Sequence, residues 1–126
     1  MEFSVDVWLR GDNHATTHVV TGIEREPDAW TEGDVANVLV SMLRSMDRAK
    51  DPGADPLRPI GLRGFSWIVN PFDTGGVVIA LELSLGAVVA GPFDVPEEHL
   101  TRMIQRVMDA SREAADRKST RLNSSH

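Results

Sequence analysis

Thr31-Glu-Gly-Asp-Val-Ala-Asn-Val-Leu-Val-Ser-Met-Leu-Arg-Ser-Met-Asp-Arg-Ala-Lys50 decides the fold class. Val35, Val38, Leu39, Met42, Leu43 and Met46 recur at the helical period and form one apolar stripe. Thr31 is a good N-cap, with Asp34 three residues on, near the positive end of the helix dipole. Trp30 and Val35 occupy the two positions of a hydrophobic staple. Lys50-Asp-Pro-Gly53 ends the helix. Such a helix is stable only when its stripe is buried against another layer.

The neighbouring segments supply that layer as strands. Phe3–Leu9 alternates, with Phe3, Val5, Val7 and Leu9 on one face and Ser4, Asp6, Trp8 and Arg10 on the other. Gly11-Asp12-Asn13 has hairpin-turn chemistry, and Thr16–Ile23 reads as the returning strand. Beyond the helix, Asp51–Pro59 holds three prolines and is a stiff loop or a short linker between halves. Gly64–Asn70 is a third strand, with Phe65, Trp67 and Val69 sharing a face. After the turn 71–76, Val77–Ser84 is a fourth strand whose apolar density predicts burial on both faces. Leu85-Gly86 is either a tight turn into a short fifth strand, Ala87–Ala90, or a bulge within one long strand. A last helix starts near Asp94–Pro96 and carries the stripe Leu100, Met103, Ile104, Val107, Met108 and Ser111. The expected fold is α+β: a two-layer sandwich of an antiparallel sheet of four or five strands with two helices on one face. Its order is ββαββ(β)α, and the pattern admits an internal ββα repeat.

Residues 1–115 are expected to form a single domain. Asp116-Arg-Lys-Ser-Thr-Arg-Leu-Asn-Ser-Ser-His126 resembles one reading frame of a sequencing adapter over its whole length, so 116–126 is expected to be a non-native tail. Without its one acid and three bases the net charge moves from −6 to −8. That acidity argues against nucleic acid, whose phosphates call for a basic footprint, and favours basic or neutral partners. No cysteine is present, which rules out disulfides and thiolate metal sites and fits the cytoplasm. The N-terminus has no signal-peptide pattern, and the longest apolar run, Val77–Leu81, is too short to cross a bilayer.

Candidate chemistry is sparse. Asp73-Thr74-Gly75 resembles the aspartic-protease triplet, but that family needs two such carboxylates on a nearly all-β fold, so the segment reads as a hairpin turn. His14 and His18 share a strand face about 13 Å apart, too far to chelate one ion. Glu82 interrupts an apolar strand; it either faces the core with a raised pKa or marks a solvent face. Gly75-Gly76 precedes a strand, whereas a phosphate-binding loop feeds a helix.

Trp8 falls on the face opposite Phe3, Val5 and Val7. There, near Val20 or Trp67, it is expected to anchor an interface. The function expected is therefore that of a small acidic, non-enzymatic protein-interaction or regulatory module. It would self-associate as a homodimer through the outer sheet face or an edge strand, with Trp8 and Trp67 as interaction residues. No catalytic, cofactor-binding or metal-ligating residue is assigned, and no cofactor or membrane contact is expected. Two alternatives stand beside it: a small-ligand or enzyme domain with a pocket near Glu82, His14 or Asp73, and an N-terminal fragment of a larger protein.

Overall fold

Two reciprocal hydrogen bonds start the first helix. The Asp34 amide donates to Thr31 Oγ1 at 3.1 Å, and the Thr31 amide donates to Asp34 Oδ2 at 3.0 Å. A computed structural model of the chain describes the backbone of residues 1–124 and the side chains of residues 1–114. Helix α1 spans Glu32–Lys50 and α2 spans Glu97–Ser124. The strands are β1 Phe3–Leu9, β2 Thr16–Val20, β3 Ser66–Pro71, β4 Val77–Leu83 and β5 Gly86–Phe93. They form one antiparallel sheet in the order β2-β1-β5-β4-β3. The α+β class and the expected element order hold, and the sheet has five strands, because Ser84-Leu85 is a two-residue turn and not a bulge.

The register separates two faces. Val7, Val88, Leu81 and Trp67 pair in one row across β1, β5, β4 and β3; Val5, Ala90, Ile79 and Val69 pair in the next. Apart from half-buried Trp67, all of these are buried, and they meet the stripes of α1 and α2 in one core. At one end Phe93 lies edge-on to Phe3, with centroids 5.2 Å apart, and to Trp30, at 4.9 Å. Trp30 and Val35 are both buried, as a staple requires, and the Trp30 indole N–H donates to the Arg25 carbonyl at 2.8 Å. The single core face is compatible with a two-layer arrangement, and the order is compatible with a ββα repeat.

Several expectations need correction. Strand β2 stops at Val20 rather than Ile23, and β3 begins at Ser66. Strand β4 is not buried on both faces: Val77, Ile79 and Leu81 are buried, whereas Val78 and Ala80 are half-buried and Glu82 is exposed. Strand β5 runs past Ala90 to Phe93, because a register shift against β4 at Val77–Ile79 absorbs Gly91-Pro92 without ending the pairing. The backbone of α2 is continuous to Ser124, while the side chains of the expected tail, Asp116–His126, lie outside the described residues.

Gly86 is required where β1 and β5 meet. Its φ is 149°, and a Cβ there would stand 1.9 Å from the Trp8 carbonyl oxygen, deep inside contact distance. Gly86→Ala should lower the unfolding free energy by roughly 3 kcal/mol or more, measured by urea denaturation; a change of only a few tenths would mean that β1 and β5 do not approach in this way.

The cap makes a second prediction. The Thr31 amide, helped by the Thr31 hydroxyl and Arg25 and opposed by burial, holds the Asp34 carboxyl below its ordinary value of 3.8. A depressed folded-state pKa contributes stability above the unfolded value and loses it as pH falls through the folded one. Acidification from about pH 5 to about pH 3 should therefore cost Asp34→Asn less stability than it costs the wild type; equal losses in parallel denaturation curves would remove Asp34 from the acid transition.

Candidate functional site: the uncovered sheet face

Side chains of alternate parity to the core project from the other side of the sheet, where no described element covers them. One row runs Trp8, Ala87, Glu82, Ser66; the next runs Thr17, Asp6, Val89, Ala80, Ile68. Glu82 apart, the residues of β5 and β4 in these rows are Ala87, Val89 and Ala80, and larger apolar side chains stand on the strands to either side. Trp8 is 41% exposed, Ile68 53% and Val19 63%, high values for residues of this type within a sheet. A shallow depression lies over β3, β4 and β5, bounded by Ser66, Ile68, Ala80, Glu82 and Ala87. The charged strand residues of this face are Asp6 and Glu82, and Asp6 Oδ1 accepts a 2.7 Å hydrogen bond from Thr17 Oγ1.

Other residues singled out in the sequence are scattered. Trp67 pairs with Leu81 on the covered face, and Val20 pairs with Phe3 there, so neither stands beside Trp8. The expectation that Trp8 and Trp67 share the outer face is corrected by the register. Glu82 lies on the solvent side of β4, two places from Trp8 in its row. His14 is exposed in the β1–β2 turn. Asp73 is exposed in the β3–β4 turn, at the opposite end of the sheet from His14. That turn is closed by the Phe72 amide bonding to the Gly76 carbonyl at 3.0 Å and the Gly75 amide bonding to the Phe72 carbonyl at 2.9 Å, as turn chemistry dictates. His14, Glu82 and Asp73 are therefore not brought together.

The apolar flank residues Ile68 and Val19 were not singled out in the sequence. A signal for Ile68 existed: it has the opposite parity to Trp67 and Val69, so a buried Val69 sends it outward. The arrangement presents a flat apolar surface with a Trp at its margin and a carboxylate beside it. It lacks a nucleophile–base pair: Ser66 faces Glu82 across β3 and β4, with no histidine in the row.

Comparison of the chain with protein-family models, with curated proteins and with solved structures gives no match. Among the described residues no helix is long and apolar enough to cross a membrane.

The three tryptophans report the geometry separately, since Trp30 is 4% exposed and Trp67 packs against the core. In dilute protein, Trp8→Phe should remove the larger part of the acrylamide-quenchable fluorescence; quenching unchanged by this substitution would place another indole at the surface.

Proposed function

We propose that the protein is a non-enzymatic interaction module that self-associates through the uncovered face of its sheet. The observation that carries this reading is the exposure of Trp8 on a sheet face where Ala80, Ala87 and Val89 lie between it and Ile68, with Glu82 beside them. Apolar patches on one side of an antiparallel sheet are ordinarily covered, and Trp is the side chain most enriched at the energetic centres of interfaces. A second copy is the occupant we favour because two flat, similarly twisted sheets pack face to face about 10 Å apart without remodelling either backbone. Ala80, Ala87 and Val89 leave room for the Trp8 and Ile68 side chains of the other copy. Asp6 enters such an interface already hydrogen-bonded, which lowers its desolvation cost. The location proposed with this reading is the cytoplasm; a chain without cysteine is compatible with a reducing compartment.

Sedimentation equilibrium over a range of concentrations tests the proposal. The wild type should approach twice the chain mass of 13.8 kDa, and Trp8→Lys should weaken association at least about tenfold, the effect expected of replacing an aromatic anchor with a charge. A wild type that stays monomeric throughout, or a Trp8→Lys variant that dimerises equally well, overturns it.

A further inference from the structure

A groove on the helix side of the sheet carries chemistry unlike the rest of this acidic chain. It lies between β2 and α1, has a volume of about 300 Å³ and is lined by His18, Thr21, Ser41, Arg44, Ser45 and Arg48, with Val19 and Val20 along one wall. Ser41, Arg44, Ser45 and Arg48 are spaced i, i+3, i+4 and i+7, so they form a second, polar stripe along α1 beside the apolar one. His18 pairs with Val5 in register, which turns its ring to the helix side.

We propose that this groove binds a small phosphate-type oxyanion, inorganic phosphate or the phosphate of a small monoester. This goes beyond the self-association reading and concerns the opposite side of the sheet. Three features carry it. The first is uncompensated charge. Arg44 Nη1 donates to the carbonyls of Pro56 and Arg58, at 2.6 and 3.0 Å, so its guanidinium is held by neutral acceptors and keeps its full charge. Arg48 forms no ion pair with a described carboxylate, and Asp47, the acid between them in sequence, is bound to Arg58. Asp6, the acid nearest His18 on the adjacent strand, faces the other side and is bound to Thr17.

The second feature is preorganisation. The carbonyl clamp fixes Arg44 to the loop 51–65, so a ligand meets one guanidinium already oriented. Ser45 is 2% exposed and donates its hydroxyl proton to the Ser41 carbonyl at 2.9 Å, so it is fixed in the lining. The third is donor variety: two planar guanidinium forks, the His18 imidazole, and the hydroxyls of Thr21 and Ser41 match the several acceptor oxygens of a phosphate. The volume lies at the small end of the range for ligand sites, which suits a compact anion better than a large cofactor.

Titration of the full chain with inorganic phosphate, followed by NMR against sodium chloride at matched ionic strength, tests the proposal. Saturable shifts are expected at His18, Thr21, Ser41 and Arg48. Arg48 is exposed and forms no ion pair among the described residues, so Arg48→Gln should fold normally and weaken binding by about tenfold or more. Arg102→Gln, which removes the same charge from α2 away from the groove, should bind as the wild type does. Phenyl phosphate producing the same shifts identifies a monoester as an equivalent ligand and supports the site. Shifts that chloride reproduces, binding unaffected by Arg48→Gln, or equal losses from Arg48→Gln and Arg102→Gln each overturn it.

Discussion

The ladder between β1 and β5 is the pairing on which the rest of the structure depends. The β1–β2 hairpin and the β3-β4-β5 meander are each joined by neighbouring segments of chain, and only β1 against β5 makes one sheet of them. That ladder sets Val5 beside Ala90 and Val7 beside Val88, which continues the core rows of the meander into the hairpin. Helix α1 then covers β1, β2 and β5, and α2 packs on α1 and β3. Phe93, the last residue of β5, closes the end of the ladder by touching both Phe3 and Trp30. The close approach at Gly86 is the local condition for all of this, since a side chain there would push β5 away from the Trp8 carbonyl.

A one-sided core divides the molecule into surfaces with different physics. The covered face uses the large aliphatic and aromatic side chains. The uncovered face has Ala80, Ala87 and Val89 beside Glu82 at its centre and larger apolar side chains, Trp8, Ile68 and Val19, around them. The groove beside β2 is built from α1 itself, whose apolar stripe is spent on the sheet while its adjacent polar stripe collects hydroxyls and arginines. One helix thereby serves the core and a charged surface at once. The proline-bearing loop after it contributes as a scaffold, through the carbonyls of Pro56 and Arg58.

Local rules made much of the fold legible. The cap at Thr31, the staple at Trp30 and Val35, and the stripe from Val35 to Met46 depend on residues within a few positions of one another, and all take their expected places. The alternation of Phe3, Val5 and Val7 was equally plain. What failed needed non-local knowledge. Gly91-Pro92 reads as the end of a strand, yet the register shift against β4 carries pairing on to Phe93. Apolar density in β4 predicted burial on both faces, because Val78 and Ala80 are apolar in composition but lie on the uncovered side. Trp67 was grouped correctly with Val69, but whether that pair shares a face with Trp8 depends on three successive ladders that no local pattern encodes. Arg44 and Arg48 flank Asp47 in the sequence, and the ion pair that removes Asp47 from them comes from Arg58 in a later loop.

The sheet order has a consequence for synthesis. Strand β1 is made first, yet one of its two edges is satisfied only by β5, whose residues follow it by about eighty positions. A chain emerging from the ribosome can close the first hairpin and form α1, but the inner edge of β1 stays bare until Gly86–Phe93 has cleared the exit tunnel. During that interval the hairpin displays unpaired amides and carbonyls beside Val5 and Val7, the combination that recruits other nascent strands or a holding chaperone. Such a closing step is slower than the hairpin pairings, because the entropy of a loop of about eighty residues is lost before the β1–β5 contacts repay it.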